Sequence, residues 1–109
     1  MKSFKPAIPC CPALLAGKLT PEEAVQLAVL FRVLSEPARL QMLSLIAAQA
    51  NQEVCACELV ESLGLSQPTI SHHLKVMYET GLLEKERRGT WIYYRIVPDR
   101  LATLKDVFS

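Results

Sequence analysis

A small, mainly α-helical domain carrying one β-hairpin is the fold class that this sequence predicts. Three observations lead there. Successive stretches place apolar residues at helical spacing behind helix-start signals. The segment "LLEKERRGTWIYYRIV" then switches to strand-forming residues. A length of 109 residues at 50% hydrophobic content allows one core and one domain.

Residues 1–19 read as an irregular arm, since Pro6, Pro9 and Pro12 exclude regular helix and Gly17 closes the segment. The folded domain is expected over residues 20–109. Thr20, Pro21 and Glu23 supply an N-cap, a first-turn proline and a capping-box acid. In the helix that follows, "EEAVQLAVLFRVLS", only Gln26 and Arg32 break residues 24–34. One small domain covers one stripe of such a helix, so the remainder is expected to pack on a second copy, giving a homodimer.

Ser35, Glu36 and Pro37 restart the chain as a second helix, with Ala38, Leu40, Met42, Leu43, Leu45, Ile46 and Ala47 as its core face. Asn51 and Gln52 make the next break. A short helix from about Ala56 to Leu63 and a longer one from Gln67 to Thr80, joined through "GLS", form a helix-turn-helix. Gly81 suits the left-handed position after the second. Strands from Leu82 to Arg87 and Thr90 to Ile96, around a turn at Arg88 and Gly89, make a wing. Pro98 opens a last helix with Leu101, Leu104 and Phe108 on one face, available to the dimer interface. The expected architecture is a dimeric winged helix-turn-helix.

The net charge of +1 conceals an uneven distribution. Residues 19–63 hold two arginines against six acids, and residues 64–100 hold six basic groups against four acids. Leu65 to Tyr78 contains no acid, and neither does Arg87 to Val97, which carries three arginines. No run approaches a membrane span and the prolines break any signal-peptide apolar region, so a cytoplasmic protein is expected. Four cysteines there serve as reduced ligands, redox thiols or buried small hydrophobes rather than structural disulfides.

In "SQPTISHHLKVMYETG", Ser66 is a natural N-cap. At about 100° per residue, Ile70, Leu74 and Met77 share one face. The opposite face centres on His72 with Pro68 and Lys75, and Thr69, Ser71 and His73 form its shoulders. A first turn of hydroxyls and the Gln67 amide suits phosphates and base edges of double-stranded DNA. Arg87, Arg88 and Arg95 beside Trp91, Tyr93 and Tyr94 give the wing a basic tip for the DNA backbone or minor groove. Trp91 and one of the tyrosines are expected to pack the sheet instead.

The stretch "EVCACEL" places Cys55 and Cys57 at the start of the short helix. Residues two apart on a regular helix point about 200° away from each other, so both sulfurs reach one ion only if the backbone there leaves helical geometry. Either pair, Cys10 with Cys11 or Cys55 with Cys57, could instead form a disulfide in a thiol-redox regulator. No phosphate loop or nucleophile–base constellation suggests an enzyme.

Together "LSEPARLQMLSLI", "EVCACEL", "LSQPTISHHLKVM" and "GLLEKERRGTWIYYRI" resemble the ArsR/SmtB family of bacterial metal- and metalloid-sensing repressors, most of all its arsenical-resistance operon repressors. The resemblance covers about residues 20–108. It implies a homodimer that holds operator DNA without ligand and leaves it when a toxic ion binds. It further implies that Ser66, Gln67, Thr69, Ser71 and His72 read the operator, with Arg88 at the wing. Arsenite-sensing members often carry a third cysteine three residues after the Cys-x-Cys, where this chain has Val60. Cys10 and Cys11 are then the candidates to complete the site. Three thiolates suit arsenite or antimonite, and four suit cadmium, lead or zinc. The family's zinc site on the last helix uses Asp and His; this chain offers Asp99 and Asp106 there but no histidine.

Overall fold

The structure, a computed structural model, describes residues 19–107, with side chains described as far as residue 102. The cysteines of the expected arm, Cys10 and Cys11, lie outside the described residues, as do Phe108 and the side chain of Leu104.

Helix α1, Pro21–Leu34, begins with the reciprocal cap that the sequence predicts. The Glu23 N–H donates to Thr20 Oγ1 at 3.1 Å and the Thr20 N–H donates to the Glu23 carboxylate at 2.9 Å. Two amides that the first turn would otherwise leave without acceptors are thereby satisfied. Leu27, Leu30 and Val33 point inward, while Val25 stays 64% exposed. Helix α2, Pro37–Ala48, turns Met42, Leu43 and Ile46 into the core. Leu40 and Ala47, expected among them, are exposed. They lie about 120–140° of helix rotation from the middle of the Met42 and Ile46 stripe, too far round to reach it.

A turn at Ala50–Gln52, where Asn51 and Gln52 take positive φ of 61° and 53°, leads into strand β1, Glu53–Cys55. Helix α3, Ala56–Leu63, stops at Gly64, whose φ of 68° suits a residue without Cβ. Helix α4, Gln67–Glu79, starts at Ser66, whose Oγ accepts from the Thr69 N–H at 3.3 Å. Strands β2, Leu83–Arg88, and β3, Trp91–Ile96, form the wing, and α5, Pro98–Val107, follows.

Two features differ from the sequence expectation. The sheet has three strands in the order β1-β3-β2, all antiparallel, because the short segment before α3 adds to the hairpin edge. Three residues give too little alternation to read as a strand. The hairpin turn also falls one residue later. Arg88 pairs with Trp91, leaving Gly89 and Thr90 as a two-residue loop, and Gly89 at φ 65° meets such a turn's need for a left-handed first position.

Ile70, Leu74 and Met77 of α4 are completely buried and share one core with Leu30, Met42 and Leu59. Truncating a side chain of this kind typically costs about 2–5 kcal/mol. That energy fixes the roll of α4 about its axis and so determines which residues it presents outward. At its far end, the buried Arg100 of α5 donates to the Thr80 carbonyl at 3.4 Å, where a helix leaves carbonyls without partners. No helix among the described residues is long and apolar enough to cross a membrane.

Candidate functional site

The outward face of α4 carries Gln67, Thr69, Ser71, His72 and Lys75, all exposed, with Ser66 at its head. Ser66 Oγ donates to Thr69 Oγ1 at 2.9 Å, and Gln67 Nε2 donates to Ser71 Oγ at 3.4 Å. The first turn holds no acid. A row of donors and hydroxyls at a helix N-terminus is suited to polyanion contact.

His73 is not on this row. It lies on the shoulder that rolls toward α2, where its Nδ1 accepts from Arg39 Nε at 3.2 Å. Arg39 Nη1 also donates to the Val33 carbonyl at 3.1 Å, so one guanidinium ties the end of α1 to α4. Burial, then the neighbouring Arg39 charge, holds His73 below its ordinary value and keeps the acceptor nitrogen bare. His73, expected among the DNA contacts, thus also braces α4 against α2 within the subunit.

Cys55 and Cys57 are brought together by a geometry that the helical spacing alone conceals. Cys55 is the last residue of β1 and the N-cap of α3, with extended φ −83° and ψ 145°. Its sulfur accepts from the Cys57 N–H at 3.3 Å, while its own N–H donates to Glu58 Oε1 at 2.9 Å. The departure from helical backbone that a shared ion requires is present in this structure. Cys55 is buried and Cys57 exposed. The Cys57 thiol sits above its usual value, first through its hydrogen bond with Cys55 and then through burial. Among the described residues no group of three or more His, Cys, Asp or Glu side chains could hold an ion.

The two cysteines open onto a cleft of about 230 Å³ lined also by Ala56, Gln67, Ser71, Trp91, Ile92 and Tyr94. Thiols, recognition helix and wing thus meet at one cavity. Trp91, expected to pack the sheet, is 56% exposed at this cleft, whereas Tyr94 packs on the core as expected of one of the tyrosines. Strand alternation explains the difference, because the two residues differ by an odd number of positions on β3.

At the wing, Arg87 is exposed and donates to the Gly89 carbonyl at 3.4 Å. Arg88 is engaged by carboxylates. Its Nη1 and Nη2 donate to the two Glu53 oxygens at 2.6 and 2.9 Å, and its Nη2 also donates to Glu86 at 2.8 Å. Its guanidinium lies 4.5 Å from the centre of the Tyr93 ring. The Arg88 hydrogen bonds hold Glu53 below the usual carboxylate range. The wing tip, read from sequence as basic, is locally balanced by acids. Composition could not reveal this because Glu53 arrives from β1, 35 residues upstream of Arg88. Glu58, Glu53 and Arg39 are the site residues that sequence reading missed. Only Glu58 left a signal, as the acid three places after a cap in "CACE", with cysteine standing where serine usually does.

Residues 36–85 match the family model described as "Bacterial regulatory protein, arsR family". An uncharacterized HTH-type transcriptional regulator of Methanocaldococcus jannaschii is 38% identical over 80 residues, 73% of this chain and 88% of the relative. An arsenic resistance transcriptional regulator of Pseudomonas putida is 44% identical over 71 residues, 65% of this chain but only 54% of the relative, so the chain spans about half of that protein. Among solved structures, the homodimeric winged helix-turn-helix DNA-binding domain of a possible ArsR-family regulator from Mycobacterium bovis superposes with a TM-score of 0.65. It is 32% identical and covers 84% of this chain and 87% of its own. The fold and the relatives are those of DNA-binding transcriptional regulators, not of enzymes. The chain belongs to the ArsR family of bacterial regulatory proteins.

Proposed function

We propose that the protein is a cytoplasmic repressor that binds double-stranded operator DNA as a homodimer and releases it when arsenite or antimonite is taken up by its cysteine thiolates. The observation that carries this reading is the shared cleft, in which Cys55 and Cys57 face Gln67 and Ser71 of α4. Ser66, Gln67, Thr69, Ser71, His72 and Lys75 then meet the operator, with Arg87 and Arg88 at the wing. Val25 and Leu40, 64% and 50% exposed on α1 and α2, supply apolar surface for the second subunit.

Thiolates are soft donors and suit thiophilic ions. Cys55 and Cys57 would supply two of them, and Cys10 or Cys11 the remainder. When bound, such an ion holds the sulfurs together in place of their protons. The consequence for the chain lies in the cap. The Cys55 sulfur is the acceptor for the Cys57 N–H, and drawing it toward an ion weakens that bond and loosens the first turn of α3. Helix α3 packs on α4, so the turn's displacement reaches the operator-facing residues. Two half-sites one DNA turn apart tolerate little change in their separation.

The four cysteines of the chain favour a second reading, in which all four bind cadmium, lead or zinc. Release of a fluorescent operator duplex titrated with arsenite, antimonite, cadmium, lead and zinc separates the two. The first reading expects release by arsenite and antimonite. Release by cadmium and lead alone would leave DNA repression standing and overturn the arsenite assignment.

A further inference from the structure

Glu53 is absorbed neither by the DNA face nor by the thiol pair, yet it touches the wing from the thiol strand. Strand β1 has three residues. Its last is Cys55, and its first, Glu53, lies two positions away, about 7 Å along an extended chain. The Glu53 side chain is only 13% exposed and engages Arg88 with both oxygens, the closest contact being 2.6 Å. Arg95, directly opposite Glu53 in register, donates to the same carboxylate at 3.3 Å and to Glu84 on the far strand at 3.5 Å. A second connection runs in parallel. Cys55 is paired with Tyr93, and Arg88 lies over the Tyr93 ring.

We propose that Glu53 is a positioning residue that couples the thiol pair to the wing, carrying displacement of β1 at Cys55 to the Arg88 guanidinium. This inference rests on the proposed release of operator DNA by a thiol-bound ion and assigns part of that response to the wing. Strand β1 is an edge strand, hydrogen-bonded to β3 alone, and can shift without breaking the β2–β3 hairpin. A bidentate carboxylate–guanidinium pair is directional, so Arg88 follows the shift or loses a partner. In either case the cation next to the turn changes its placement relative to a DNA phosphate. Glu86 holds the same guanidinium at 2.8 Å but belongs to β2, on the wing itself, so its ion pair does not join Arg88 to β1.

The pair Glu53→Gln and Glu86→Gln tests this. Each removes one carboxylate from Arg88, and only the first removes the ion pair between β1 and Arg88, while the Tyr93 contact stays in both. Operator affinity is measured by fluorescence anisotropy with and without arsenite, and arsenite uptake by thiol titration. The ratio of the two affinities should fall by about three- to tenfold in E53Q, with arsenite still taken up, and keep its wild-type value in E86Q. An unchanged ratio in E53Q, or equal losses in both variants, would overturn the coupling. If arsenite fails to release operator from the wild type, the proposed function fails and the coupling falls with it. If wild type and E53Q respond alike, only the coupling fails. Should E53Q not fold, Glu53→Asp, which withdraws the carboxylate by one methylene, is read in the same way.

Discussion

Cys55 has two duties that substitution can separate. It is the N-cap of α3, accepting from the Cys57 N–H at 3.3 Å, and it is a buried residue, 6% exposed. Cys55→Ala removes both contributions. Loss of an N-cap acceptor to alanine costs about 1 kcal/mol. Loss of a buried sulfur-sized apolar group costs about 1 kcal/mol more. Cys55→Ser restores an oxygen acceptor at the same place, so it forfeits only the second amount, and the two variants should differ by about 1 kcal/mol. For a domain of this size that is about 5 °C in Tm, with C55S the more stable. Thermal melts followed by far-UV circular dichroism, at one protein concentration so that association contributes equally, measure the difference. Equal melting temperatures, or a more stable C55A, would show that the sulfur does not cap α3 and remove the proposed route from the thiols to α4.

Val25→Glu places a charge on the exposed apolar side of α1 and should convert the dimer to a monomer in sedimentation velocity, with operator affinity lower by about tenfold or more. Lys75→Ala should weaken binding to all sequences alike and make the salt dependence shallower by about 0.9 in log–log slope, the value for one phosphate contact. His73 has its folded value held below 6.5 by burial, with Arg39 and His72 acting in the same direction and Glu36 opposing. Its contribution to stability is therefore complete above that value and is lost as the pH falls from there toward the lower folded value. Urea midpoints across this window should drop less in His73→Gln than in the wild type.

The regular elements were legible because their signals are local. Thr20 with Glu23, Ser66, Gly81 and the Ile70, Leu74, Met77 stripe each act within one or two turns, and the structure places all of them as read. What the sequence concealed depends on partners distant along the chain. Arg88 appears free until β1 brings Glu53 beside it, and His73 belongs with its neighbours until Arg39, 34 residues earlier, takes its nitrogen. Trp91 exposed and Tyr94 packed follow from a strand register that residue types alone do not fix. The thiol pair lies between these cases. The spacing showed that a regular helix would keep the sulfurs apart, and the structure resolves this by making Cys55 the cap, outside the helix it begins.

Release of operator DNA is assigned to the thiols beside α4. Anisotropy of a labelled operator duplex, titrated with arsenite against wild type and the Cys55→Ser, Cys57→Ser double variant, tests it most directly. Arsenite should free the duplex from the wild type and leave it on the double variant. Release from both at the same arsenite concentration would contradict this assignment.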